Sequence, residues 1–109
     1  MTWIAIGSTI DIPLRGARVI AMPQRRIAVF RTIDDRFFAI EDRCPHKAGP
    51  LSQGIVHGAA VTCPLHNWVV SLKTGEALGA DEGSVRRFAL KVEDKNLFIS
   101  LEEIPEGTA

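Results

Sequence analysis

Cysteine and histidine are scarce in this chain and gathered into two short cassettes. The 109 residues include two Cys and three His. Both cysteines and two of the histidines fall in Cys44-Pro45-His46 and Cys63-Pro64-Leu65-His66. Sixteen residues separate the cassettes, and each places a thiol before an imidazole. A chain that uses all four side chains together must bring two distant loops side by side, so the pattern constrains topology and chemistry at once. Mixed Cys/His pairs used twice suit a centre of two irons bridged by two sulfides. One iron then takes the two thiolates and the other the two imidazoles. If each loop straddles both irons, Cys44 and Cys63 bind one while His46 and His66 bind its neighbour.

Zinc is the chemical rival. Tetrahedral Zn(Cys)2(His)2 uses the same donors, but zinc fingers group them by type, with C-x2-4-C in one place and H-x3-5-H in another. The doubled Cys-then-His order favours the iron–sulfur centre and leaves zinc open. Four unrelated packing residues are the weakest reading, because Cys-Pro steps each followed shortly by His are unusual in loops that only pack.

Around the cassettes, nearly every apolar run is short and bounded by turn formers. Arg26–Thr32 alternates large apolar with charged or small residues, as a half-buried strand does, and Asp34-Asp35 turns it back into Phe37–Ile40. Phe88–Val92, a turn at Asp94-Lys95-Asn96, and Leu97–Leu101 predict a second hairpin. Gly54–Gly58, Ala60–Thr62 and Trp68–Leu72 read as short strands, the last ended by Lys73-Thr74-Gly75. Helical periodicity is not sustained anywhere. The expected fold is all-β, a sandwich or partly open barrel with a small cluster-binding subdomain of two loops. Both cassettes then fall just after a strand. One domain over 1–109 is expected, with its core at about 3–101 and an acidic tail at 102–109.

Composition narrows the functional classes. Hydrophobic residues make up 46% of the chain, which suits a folded globule. Lys plus Arg equals Asp plus Glu at 13 each, so no global field attracts nucleic acid or an anionic membrane. The arginine pairs 25/26 and 86/87 read as solvated strand ends. No segment reaches the roughly 20 apolar residues of a membrane span. Met1–Ser8 lacks a basic leader, and both cysteines are committed to the site, so the cytoplasm is the expected address. No G-x-G-x-x-G loop and no nucleophile–base pair is present, which points to electron transfer rather than substrate chemistry.

C-x-H and C-x2-H separated by sixteen residues resemble the Rieske [2Fe-2S] family motif. The wider text, in Ala39–Lys47, Gly49–Gly58, Val61–Trp68 and Leu72–Ala77, resembles one branch, the small subunit of NAD(P)H-dependent assimilatory nitrite reductase. The likeness runs from about Trp3 to about Ser100. It implies that Cys44, His46, Cys63 and His66 hold a Rieske cluster, and that the partner is a large catalytic subunit. That subunit would carry FAD, sirohaem and a [4Fe-4S] cluster and reduce nitrite to ammonium. The alternative implied by the same motif is a free-standing Rieske ferredoxin serving an aromatic-ring dioxygenase.

Within that resemblance, secondary roles follow. High-potential Rieske proteins tie their ligand loops with an extra disulfide and place a hydroxyl just after the second ligand pair. Here there is no further cysteine, and Asn67-Trp68 follows His66, so a potential near the low end of roughly −150 to +300 mV is expected. His46 and His66 are the candidate electron port. Gly49 would let the backbone approach the cluster, Pro50 and Leu51 would cover it, and Pro45, Leu51 and Leu65 would form an apolar docking rim. Lys47 reads at least as readily as a solvated loop residue as it does as a tuning charge or a partner contact. His57 reads as a strand-end residue rather than a further ligand, and Trp68 as a core aromatic beneath the second loop.

Overall fold

A computed structural model describes residues 3–23, 25–44, 49–64, 67–78 and 83–104, with the backbone alone for 101–104. Among the described residues, nine strands form two antiparallel sheets. The larger contains β1 (Trp3–Ser8), β2 (Ala17–Met22), β3 (Arg25–Arg31), β4 (Phe37–Glu41), β8 (Arg87–Glu93) and β9 (Asn96–Ile104), in the order β1-β9-β8-β4-β3-β2. It curls into a nearly closed, Rieske-like fold. The smaller sheet is β5 (Ile55–His57), β6 (Ala60–Thr62) and β7 (Val69–Ser71), in chain order.

Turn chemistry fixes the hairpins. Asp94 and Lys95 both adopt positive φ, at 49° and 66°, between the paired residues Glu93 and Asn96. Two left-handed residues in succession match the right-handed twist of the flanking strands. Asp35, at φ 63°, turns β3 into β4, and its N–H donates to the Thr32 carbonyl at 3.0 Å. Aspartate tolerates that conformation because its short side chain bonds locally.

β3 holds the molecule together. The sequence predicts it as half-buried, yet Ile27, Ala28, Val29 and Phe30 are all fully buried. Successive side chains of a strand point to opposite faces, and here both faces are covered. Ile27 and Val29 join Ile12, Ala39, Phe88, Leu97 and Ile99 in the core of the larger sheet. Ala28 and Phe30 join Ile40, Leu51, Val56, Val61, Val70 and both cysteines in a second core under the smaller sheet.

Two further expectations are corrected. β9 runs three residues into the segment read as an acidic tail, where Glu103 pairs with Phe88 and Ile104 with Arg87. An irregularity between Phe88 and Leu90 lets the longer strand carry extra residues and still return to register. Residues 105–109 lie outside the described residues. Arg87, read as solvated, is buried, and its Nη1 donates to the Lys73 carbonyl at 2.7 Å, bracing the turn after β7. Arg26 and Arg86 are exposed, as their positions at strand ends suggested.

Candidate metal centre

β4 and β6 deliver the two cysteines. Cys44 follows the end of β4 by three residues, and Cys63 follows β6 directly. Each cysteine then closes its own loop in the same way. The Cys44 N–H donates to the Gly49 carbonyl at 2.7 Å, and the Cys63 N–H donates to the Trp68 carbonyl at 2.6 Å. In both cases donor and acceptor lie five residues apart, so each bond encloses four residues. His46 and His66 fall inside these enclosures by sequence position; both lie outside the described residues, as do Pro45, Lys47 and Leu65. Asn67, in the left-handed conformation at φ 57°, turns the second loop back toward Trp68.

The two thiols share one dry environment. Cys44 is 1% exposed and Cys63 fully buried, and both belong to the core that contains Leu51, Val56, Val61 and Val70. No disulfide joins them. Two buried sulfur donors on closed, equal loops over one apolar floor fit an iron–sulfur group, whose thiolate ligands are soft and whose potential depends on solvent exclusion. Leu51 is fully buried between these elements, so it shields the site from below and is no part of a docking rim. Pro50 is exposed. Trp68 is half-buried against the same core, as expected of an aromatic beneath the second loop.

Several supporting contacts have no signature in the sequence. Asp42 is buried at the root of the first loop, and its carboxylate accepts from the Ser52 N–H at 2.7 Å and the Ser52 hydroxyl at 2.8 Å. That pair clasps the end of the strand before the loop to the 3-10 turn Leu51–Gln53 behind it. Gly54 sits where an added Cβ would lie 2.2 Å from the Thr62 carbonyl, so only glycine permits β5 to approach the strand that leads into Cys63. His57 is exposed and its Nε2 lies 2.6 Å from the Thr62 hydroxyl, a cross-strand contact on the outside of the β5–β6 hairpin. Arg15 reaches from the turn before β2 to the Val56 carbonyl at 3.2 Å, tying the smaller sheet to the larger.

Fold and site together define a class: an all-β domain that presents two cysteine loops, closed alike, over a shared apolar core. The chain belongs to the Rieske-like [2Fe-2S] domain family, which it matches over residues 2–100. It is a Rieske electron-transfer domain. Among curated proteins it is 32% identical to the 3-phenylpropionate/cinnamic acid dioxygenase ferredoxin subunit of Photorhabdus laumondii, across 94% of this chain and 98% of that one. Among solved structures, a chain from the complex of reduced oxygenase and oxidised ferredoxin in carbazole 1,9a-dioxygenase superposes with a TM-score of 0.86. It is 24% identical, covering 95% of this chain and 97% of its own. A protein assigned as an NADPH nitrite reductase small subunit gives a TM-score of 0.81 at 25% identity, covering 92% and 99%. Among the described residues, no helix is long and apolar enough to cross a membrane.

Proposed function

We propose that this chain is a Rieske ferredoxin that carries single electrons to an oxygenase, with Cys44, His46, Cys63 and His66 as the cluster ligands. When bound, a Rieske cluster supplies reversible one-electron transfer. The protein's part is to hold two thiolates in a water-free core, to fix both loops through the Cys44 and Cys63 amides, and to tune the surrounding field. The observation that carries the oxygenase assignment is the match to a dioxygenase ferredoxin subunit over almost the full length of both chains. The flanking text, which resembles the nitrite reductase small subunit, points the other way.

The nitrite reductase reading keeps a specific support of its own in the 25% identical small-subunit structure. The two readings differ in assembly. A ferredoxin docks transiently with a reductase and an oxygenase, whereas a nitrite reductase small subunit stays with a large protein that carries flavin, sirohaem and a [4Fe-4S] cluster. The test is size-exclusion chromatography of the chain, expressed at native level in its own cells, with absorbance recorded across the visible range. Elution near 11.9 kDa without haem absorbance is the expected result. Co-elution with a stoichiometric sirohaem protein would assign it to nitrite reductase instead. Replacing His46 or His66 by Ala is expected to abolish the Rieske spectrum; its survival in either variant would remove that residue from the ligand set.

A further inference from the structure

We infer that Asp42 and Arg26 together set the reduction potential of this site, Asp42 lowering it and Arg26 partly offsetting that effect. The inference rests on the reading of Cys44 as a cluster ligand. The Asp42 side chain is 0% exposed, and both of its oxygens accept hydrogen bonds, from the Ser52 amide and the Ser52 hydroxyl. Acceptance at both oxygens is the arrangement that suits a carboxylate anion. Asp42 and Cys44 are two positions apart in the chain, with only Arg43 between them, so their Cα atoms are at most about 7 Å apart. Among the described residues, the Arg26 Nε stands 3.9 Å from Oδ2, but the arginine side chain is 62% exposed.

Charge in the dry interior acts more strongly than charge in water, so the buried carboxylate outweighs the solvated guanidinium at the loop root. Arg43 adds a further cation there, but it is exposed and screened in the same way. A negative charge fixed beside a redox group favours the oxidised state, because reduction adds one more unit of negative charge. Ser52 makes the effect permanent. Its two donors hold the carboxylate inward and prevent it from swinging out to meet Arg26 in solvent.

Midpoint potentials of the wild type, Asp42→Asn and Arg26→Gln, titrated through the EPR signal of the reduced protein, test this. Asp42→Asn keeps the shape and removes the charge, and its potential is expected to rise. Arg26→Gln removes a surface cation, and its potential is expected to fall by a smaller amount. A contact that served structure alone would not give shifts of opposite sign. Unchanged potentials in both variants, or shifts in the same direction, would overturn the inference. Should Asp42→Asn fail to retain a cluster, Arg26→Gln decides: a fall upholds the inference, and no change or a rise overturns it. A wild type that shows the Rieske signal with unmoved variants defeats the inference alone, whereas a wild type without that signal defeats the ligand reading and the inference with it.

Discussion

Leu51 shows how a single side chain joins stability to function. It is fully buried in the core that holds both cysteines, immediately behind the first loop. Leu51→Ala should therefore cost about 2–5 kcal/mol through lost burial and the cavity left behind. It should also admit water beneath the thiols. Urea unfolding measures the first effect, and faster loss of visible absorbance in air measures the second. A variant as stable as the wild type would show that the site collapses around the gap. At the far end of β4, the Thr32 hydroxyl donates to Asp34, and that bond, aided by the nearby Arg36 guanidinium, holds the Asp34 carboxyl below the ordinary aspartate value. A depressed folded-state value means the stabilisation is present above the unfolded value and is lost as pH falls through the folded one. Asp34→Asn is expected to lower Tm at neutral pH, with the gap from wild type closing below about pH 4. A pH-independent gap would contradict this.

The strands explain what the sequence could and could not reveal. Both hairpins, β3–β4 and β8–β9, were legible because turn residues bracket dense apolar runs, and β5 to β7 stood out between glycines and the cassettes. β1 and β2 are not legible in the sequence. They are the two edges of the larger sheet, and neither contains a fully buried residue, so neither shows clean alternation. β3 misled in the opposite sense, since its arginine-flanked alternation suggested one buried face whereas both are covered. That double burial separates two effects by parity. Phe30→Ala, on the cysteine side, should cost about 3–5 kcal/mol and lower the iron bound per chain. Val29→Ala, on the other face, should reduce stability while leaving iron content intact below its unfolding temperature. Iron analysis beside thermal melts checks both, and equal iron loss in the two variants would show that the cores are not independent.

For the whole molecule, a nearly closed sheet serves as a platform, and the three-stranded sheet brings Cys63 into the same core as Cys44. Spacing alone nominates Cys44, His46, Cys63 and His66 as ligands, because no other cysteine competes for the role. Their supports could not be found, since the Cys44 and Cys63 closures and the Asp42–Ser52 clasp are bonds to backbone or to an ordinary serine, which composition does not mark. Which enzyme the domain serves was equally hidden, because both readings share one motif and differ only in what docks. With Asn67 exposed directly after His66 and Asp42 buried before Cys44, the potential should lie near the low end of roughly −150 to +300 mV. A redox titration giving a value near the top would contradict that.

The most direct test of the Rieske assignment is low-temperature EPR of the dithionite-reduced protein, purified without air, with iron and acid-labile sulfide measured on the same sample. Two irons and two sulfides per chain, with a rhombic signal whose average g falls well below that of all-cysteine clusters, is the expected result. An EPR-silent protein carrying stoichiometric zinc would contradict it and make the two loops a structural zinc site.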